Sequence, residues 1–157
     1  MRRLLPALPA LLVAGLVGAN ELVTATVDQY LKSQTRGLPG KVSYTVGGLD
    51  PRTQLSPCSA MEPFLPPGTR LWGKTNVGVR CLGPATWTVY VPVQISASGD
   101  YVVSVRPLAA GQPLSSADFV VRQGDLTQLP PGVVTDPAQA AGKTLKNSIG
   151  TGQPIRG

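Results

Sequence analysis

The sequence predicts a mostly β protein with a short N-terminal helix, which is an α+β fold. Segments in which apolar and polar residues alternate recur between residues 41 and 106, a pattern typical of strands with one buried face. The 18 glycines and 16 prolines punctuate these segments and so indicate turns. With 42% apolar and only 14% charged residues, the chain can bury a core and is not of the disordered class.

Residues 1–19 have the three parts of a secretion signal. Two arginines begin the segment, an apolar run follows over residues 4–17, and small residues precede polar Asn20, so we expect cleavage between Ala19 and Asn20. As a helix this run would reach about 21 Å, less than the roughly 30 Å hydrocarbon thickness of a bilayer. We therefore expect export to a bacterial periplasm without a stable membrane anchor. An uncleaved anchor is the alternative, and the prolines within the run disfavour it.

The charge of the chain disfavours a nucleic-acid partner. Its formal net charge is +6, and loss of the signal removes two arginines and no acid, which leaves +4. The remaining cations stand singly, with few aromatic residues among them, as on an ordinary solvated surface.

The two cysteines, Cys58 and Cys81, are predicted to form a disulfide. An exported chain enters an oxidising compartment, where such pairs form and persist. Closing a loop of about 24 residues would stabilise the fold by roughly 3 kcal/mol. A catalytic thiol is the alternative, but it needs a base, and the chain contains no histidine.

The first elements follow from periodicity. Apolar residues at helical spacing predict a helix over residues 22–35. Strict alternation predicts a strand over 41–46, whereas five prolines predict a loop over 50–70. The apolar face of the helix is formed by Val23, Val27, Tyr30 and Leu31.

Two further strands are predicted over residues 76–81 and 87–95. Cys81 shares the apolar face of the first, which places the disulfide on the core side. Pro92 cannot donate to a ladder, so we expect the second to be an edge strand or to contain a bulge. The small polar stretch 96–100 predicts an interruption and a domain boundary, after which a strand resumes over residues 101–106.

The later half of the chain contains a short internal repeat. Residues 106–114 and 147–155 both contain Gly-Gln-Pro followed by an aliphatic residue, which predicts two similar half-structures. Chance similarity of two Gly-Pro turns is the alternative. Between them, Asp136 as N-cap, Pro137 at the first helical position and Gly142 beyond the end predict one short helix.

Catalytic chemistry is absent from the sequence. A chain without histidine lacks the usual triads and most zinc sites. Asp118 and Asp125 are the only close acids of the later half, and nothing marks them as a general acid/base pair. Ser115 and Ser116 are interpreted as turn residues. We therefore predict no enzyme activity and no catalytic, cofactor or metal site.

Short motifs then recur in a characteristic order along nearly the whole mature chain. They are Leu49-Asp50-Pro51-Arg52 before Cys58, Pro67-Gly68-Thr69-Arg70, Trp72-Gly73, Val79-Arg80-Cys81, Trp87 to Val93, Arg106-Pro107-Leu108, Gly111, Leu114, Asp118, Leu129-Pro130, Gly132, Gly142-Lys143 and Gly152-Gln153-Pro154-Ile155. In this order and spacing they resemble the flagellar basal-body P-ring formation protein family (FlgA). The later motifs also resemble the SAF domain, which has a β-clip fold.

The resemblance implies a division of the chain into three parts. These are a signal peptide over 1–19, a disulfide-containing helix and β domain over 20–98, and an SAF-like β-clip domain over 99–157. Family members usually continue past the second Gly-Gln-Pro turn. We therefore expect the SAF/β-clip domain to be incomplete and the chain to be truncated at its C-terminus.

The same resemblance implies a function. It is that of a periplasmic assembly chaperone, which binds P-ring subunits non-covalently during flagellum biogenesis, without catalysis or a cofactor. Exposed strand edges or apolar grooves would suit a β-rich partner. The alternatives are a pilus-assembly factor with an SAF-like domain and a periplasmic carbohydrate-binding domain.

Overall fold

The computed structural model describes residues 4–7 and 18–157 and confirms a mostly β fold with an N-terminal helix. Most of the expected signal segment lies outside the described residues. Within them, no helix is long and apolar enough to cross a membrane. The elements are α1 (Ala19–Gln34), β1 (Lys41–Val46), β2 (Cys58–Phe64), β3 (Gly73–Pro84), β4 (Thr88–Ser104), β5 (Phe119–Asp125) and α2 (Pro137–Ala140).

Helix α1 begins three residues before the predicted start. The N-cap residue, Gly18, has an extended backbone conformation. The Asn20 side chain donates a hydrogen bond to the Thr53 carbonyl, and this bond holds the first turn of α1 against the loop that follows β1. The helix therefore includes both residues of the expected cleavage site, and cleavage there stays a prediction. Its apolar face is buried as predicted, with Val23, Val27 and Leu31 fully inaccessible to solvent.

Strand β4 is the centre of the five-stranded sheet. Its first part pairs antiparallel with β3, its middle with β1 and its last part with β5. Ser98 pairs with Lys41 of β1 and also with Asp125 of β5, so these two strands lie on opposite sides of β4. Strand β2 continues the sheet beyond β3.

The prediction that Pro92 marks an edge strand or a bulge is wrong for β4 as a whole, because β3 and β1 pair with this strand from opposite sides, although the β1 ladder ends one residue short of Pro92. Pro92 lies at the end of the β1–β4 ladder, whose last registered pair is Val46 with Val93. The Pro92 carbonyl still accepts a hydrogen bond from the Gly47 N–H at 2.7 Å. The missing donor thus costs one bond at a ladder end, where a proline is tolerated.

The interruption predicted over residues 96–100 is also wrong, because β4 runs through it without a break. β1 and β5 supply hydrogen-bonding partners on both sides, and such pairing outweighs the weak strand propensity of small polar residues. The division into domains at this point stays a prediction.

The prediction of a loop throughout residues 50–70 is wrong, because this segment contains strand β2. Its partner β3 supplies the pairing that local composition does not show. Pro63 is tolerated because β2 is an edge strand. The Cys58–Cys81 disulfide joins the two strands, with 5.9 Å between the Cα atoms.

Two buried clusters form the core. The first packs α1 against the inner face of the sheet, and the second lies under the last part of β4. The members of the first are Val23, Val27, Leu31, Leu71, Val77, Val79, Val91, Val93 and Ile95. The members of the second are Val102, Leu108, Leu114, Val134, Ala140, Leu145 and Ile155.

The two Gly-Gln-Pro segments, residues 106–114 and 147–155, lie beside each other in the second cluster. Leu108 and Ile149 exchange both backbone hydrogen bonds at 3.0 Å. The glycines of the two turns, Gly111 and Gly152, have similar left-handed φ angles of 83° and 75°. The short helix between them is also confirmed, since the Asp136 carboxylate caps α2 by accepting from the Ala138 N–H.

Removal of the disulfide should lower stability without changing the fold. In a Cys58→Ser/Cys81→Ser variant we expect the free energy of unfolding to fall by roughly 3 kcal/mol, because the unfolded chain gains the freedom of the opened loop. Urea unfolding followed by circular dichroism measures this change. Unchanged stability after full reduction of the parent protein would contradict the expectation.

Gly40 allows β1 to enter the sheet, and its substitution by alanine should destabilise the protein. Its φ is +78°, and a Cβ there would lie 2.6 Å from the Ser98 carbonyl oxygen. We expect Gly40→Ala to cost about 2–4 kcal/mol from left-handed strain and overpacking. Gly37→Ala is the matched control, since a Cβ at Gly37 meets nothing within 4 Å. Equal unfolding midpoints for the two variants would contradict this account.

Candidate functional site

The sheet has three outer strands, and an outer strand is a possible site for binding another chain. β1, β2 and β5 each pair on one side only within the described residues. The open side of such a strand presents unpaired N–H and C=O groups, which can accept a further strand. The three edges differ in how strongly they resist this pairing.

The edges of β1 and β2 are protected. β2 contains Pro63, its register shifts between Cys58 and Met61, and the disulfide holds its first residue. β1 has only six residues and begins with Lys41. Proline, bulges, short length and lysine are the devices by which edge strands avoid pairing with other chains.

The edge of β5 has fewer of these features, and its one cation is Arg122. It contains neither proline nor lysine, and its register against β4 is regular over all seven residues. Val120 and Val121 point to opposite faces and are 44% and 40% exposed. Their partners on β4, Val103 and Val102, are buried. β5 is therefore an edge strand with exposed apolar side chains on both of its faces.

The hydrogen-bonding pattern shows which backbone groups of β5 are open. The Val105 N–H donates to the Asp118 carbonyl just before β5, and the bonding direction alternates along an antiparallel pair. Even-numbered residues of β5 therefore bond to β4. The outer edge presents the N–H and C=O groups of Phe119, Val121 and Gln123.

Asp118 fixes the start of β5. Its carboxylate accepts from the Ser115 N–H at 2.8 Å in a capping box, and Arg106 lies 3.7 Å away. The bond from the Ser115 N–H is the main reason that the pKa of the Asp118 carboxyl is lowered. Phe119 then packs against the second core cluster, so the strand leaves this turn in a defined direction.

Asp125 fixes the end of β5. One of its carboxylate oxygens accepts from the Ala97 N–H at 3.1 Å, the Thr127 N–H at 3.0 Å and the Thr127 hydroxyl at 2.8 Å. Burial of this carboxyl opposes its ionisation, but the hydrogen bonds outweigh that effect and lower its pKa. The carboxylate joins the end of β5 to the middle of β4.

The structure separates the residues that could have formed a catalytic site. Asp118 and Asp125 lie at opposite ends of β5, which places them about 20 Å apart at 3.3 Å per residue. The Ser115 hydroxyl lies within the capping box. Within the described residues, no group of three His, Cys, Asp or Glu side chains could hold a metal ion. Among the predicted site residues, the structure joins only Cys58 and Cys81.

Sequence reasoning missed β5 altogether. The strand lacks the alternation used to find the others, because Phe119, Val120 and Val121 are consecutive and apolar. The signal that was present is this β-prone triplet between a capping aspartate and Gly124. Its exposure depends on its place at the edge of the sheet.

Comparison with known proteins defines the class. Residues 23–97 match the FlgA N-terminal domain family model, and residues 99–157 match the SAF domain family model. The class of protein is thus defined by a match to the FlgA N-terminal domain model followed by a match to the SAF domain model. The two matches together cover most of the chain, and the chain belongs to the FlgA family of flagellar basal-body P-ring formation proteins.

Relatives of known name agree with this assignment. The flagella basal body P-ring formation protein FlgA of Yersinia enterocolitica is 32% identical over 133 residues, which cover 85% of this chain and 57% of the relative. The Salmonella typhimurium protein of the same name is 30% identical over 151 residues, which cover 96% of this chain and 66% of the relative. The chain therefore spans less than two thirds of the length of these relatives.

A solved structure shows the same fold. The closed form of Salmonella FlgA matches 85% of this chain and 65% of its own chain, with a TM-score of 0.59 and 28% sequence identity. Because the match covers most of this chain, the structural similarity is not limited to any one of the short sequence motifs.

Asp125→Asn should lower stability at neutral pH and reduce the loss of stability in acid. A carboxyl whose pKa is lowered in the folded state adds stability above its unfolded pKa of about 3.9, and that stability is lost as the pH falls through the folded value. We expect the variant to be about 1–3 kcal/mol less stable at pH 7, because the three hydrogen bonds to Asp125 then have a neutral acceptor in place of a charged one. The difference from the parent should shrink below about pH 4.

Urea unfolding across this pH range measures the effect. Asp136→Asn is the matched control, because asparagine caps a helix about as well as aspartate. A stability difference for Asp125→Asn that is the same at acidic and neutral pH would contradict the proposed hydrogen bonding.

Proposed function

We propose that this protein is a periplasmic assembly chaperone for the flagellar P-ring, which binds P-ring subunits non-covalently through the edge of β5. The observation that carries the proposal is the open apolar edge of β5 in a chain of the FlgA family. The relatives are named for flagellar P-ring formation. An edge strand can bind a folding subunit through hydrogen bonds, without a covalent or catalysed reaction.

Binding would occur by addition of a strand from the subunit. The added strand would pair with the open N–H and C=O groups of Phe119, Val121 and Gln123. It would also cover Val120 and Val121, which are now about two fifths exposed. Covering this remaining apolar surface contributes about 1 kcal/mol for each valine.

Such an interaction suits a chaperone that must release its client. Main-chain hydrogen bonds contribute about 1 kcal/mol each after exchange with water, so a short strand binds reversibly. Because the bonds involve the backbone, the edge would accept a subunit segment with little demand on its sequence. As the subunit assembles, its strand would exchange its hydrogen bonds with β5 for contacts with other subunits of the ring.

The expected export supports the proposed location. Residues 1–19 have the composition of a signal peptide, and the Cys58–Cys81 disulfide is of the kind that persists in an oxidising compartment. The histidine-free sequence supports a binding role over an enzymatic one.

Val121→Lys should weaken subunit binding without unfolding the protein. A lysine on this open edge would oppose an approaching strand, as lysines do on natural edge strands. We expect the Kd for purified P-ring subunits, measured by isothermal titration calorimetry, to rise about tenfold, which corresponds to about 1.4 kcal/mol. Leu22→Lys is the matched control, because Leu22 is 41% exposed but lies on α1.

A genetic experiment tests the function itself. In a strain from which the gene is deleted, we expect no P-rings and no motility, and the parent gene and Leu22→Lys should restore both better than Val121→Lys. Intact P-rings and normal motility in the deletion strain would contradict the proposed function. Equal restoration by the two lysine variants would contradict the role of β5 alone.

A further inference from the structure

The outer face of the sheet, which is the side away from α1, carries aromatic and polar side chains that the β5 edge does not include. Odd-numbered residues of β3 and of the first part of β4 are buried in the first core cluster. Because side chains alternate along a strand, the even-numbered residues of both segments lie on the outer face. Most of these residues are exposed.

Phe64 and Tyr90 form an aromatic pair on this outer face. They lie on either side of Gly78, which is registered with both of them. The ring centroids are 6.1 Å apart and the rings are nearly perpendicular, at 78°, which is a favourable arrangement for two aromatic rings. The Phe64 ring lies over Gly78, where any Cβ would overlap it. Tyr90 is 56% exposed, so its ring is supported at one side and open to solvent.

Arg80 and Glu62 hold the Phe64 ring in place. The Arg80 guanidinium lies 4.7 Å from the centroid of the Phe64 ring, and its Nη1 donates to the Glu62 carboxylate at 3.1 Å. Both charged side chains are about half exposed, so the pair adds little to stability. It fixes the position of the ring, and an aromatic ring over a glycine supports a sheet. This support explains Phe64 but leaves the open ring of Tyr90 without a structural role.

A shallow polar cleft begins beside Tyr90 on the same face. Its volume is about 410 Å³, and the outer-face side chains that line it are Thr45, Lys74, Asn76, Pro92 and Gln94. Asn76 is the diagonal neighbour of Tyr90, since it pairs with Pro92. Gln94 pairs with Lys74 on one side and with Thr45 on the other. The amides and the hydroxyl therefore form a row across three strands.

We propose that this face binds a glycan, with one pyranose ring stacked on Tyr90 and the sugar hydroxyls hydrogen-bonded in the cleft. One face of a pyranose ring carries C–H groups, which can lie against an aromatic ring and cover its apolar surface. A sugar hydroxyl both donates and accepts, and the side-chain amides of Asn76 and Gln94 also do both. A pyranose thus matches the ring and the cleft together.

A glycan fits this face better than a peptide strand or a nucleic acid. Strand addition uses the open edge of a sheet, whereas the Phe64–Tyr90 pair lies on its face. Binding of nucleic acid needs a positively charged groove, and of the residues that line the cleft, all within the described part of the chain, only Lys74 is charged. The proposal concerns a different surface from β5 and stands if the β5 interaction fails.

Saturation-transfer difference NMR on the full chain tests the proposal. The probes are cellotriose, maltotriose and tri-N-acetylchitotriose at millimolar concentration, because a shallow site holds a small ligand weakly. We expect binding of at least one sugar, with the strongest saturation at C–H protons on one face of a pyranose ring. Tyr90→Ala should weaken this binding roughly tenfold, whereas Tyr90→Phe should retain most of it because the ring remains.

Leu82→Ala is the matched control, because Leu82 is 58% exposed on the same face of β3 but lies outside the cleft. Asn76→Ala should also weaken sugar binding, whereas Val121→Lys at the β5 edge should leave it unchanged. Urea unfolding midpoints equal to that of the parent would show that the variants are folded.

Absence of binding by all three sugars would overturn the proposal. An equal loss in Tyr90→Ala and Leu82→Ala would overturn it too, because the loss would then follow from exposed apolar surface in general. Weaker binding of P-ring subunits by Tyr90→Ala, without any sugar binding by the parent, would assign this face to the subunit in place of a glycan.

Discussion

The structure depends on strand β4, because each of its 17 residues is paired with β3, β1 or β5. β3 and β5 follow each other along one side, and β1 and the segment around Gln153 follow each other along the other. The two core clusters pack against successive parts of this one strand. β4 therefore joins two parts of the chain by backbone hydrogen bonds. One part is covered by α1, and the other contains the two Gly-Gln-Pro segments.

When β4 and β3 are paired, β1, β2 and β5 remain as outer strands. Their open edges differ in how strongly they resist pairing with another chain. The β2 edge is irregular and tied by a disulfide, and the β1 edge is short and begins with a lysine. The β5 edge is regular, is held at both ends by aspartates and exposes two valines. This difference places the most accessible main-chain edge in the SAF-matching part of the chain.

Several features could be predicted from local sequence because their causes are local. The buried stripe of α1, the alternation of β1 and the Asp136–Pro137 start of α2 need only neighbouring residues to specify them. Other features could not be predicted, because a distant partner decides them. β2 forms because β3 is beside it, and Pro92 is tolerated because β1 ends there. β5, which forms the candidate site, has no alternation to reveal it.

Four features of this protein can be predicted from its linear sequence, namely the class of fold, the cysteine pair, the absence of histidine chemistry and the family resemblance. Each of these follows from residue type, spacing or order along the chain. The three-dimensional packing is needed to establish that β4 runs unbroken, that the two Gly-Gln-Pro segments lie side by side, and that β5 is an open edge strand. The physical reason is that pairing and exposure are relations between residues far apart in sequence, and they are determined only when the backbone hydrogen bonds of the whole sheet are satisfied.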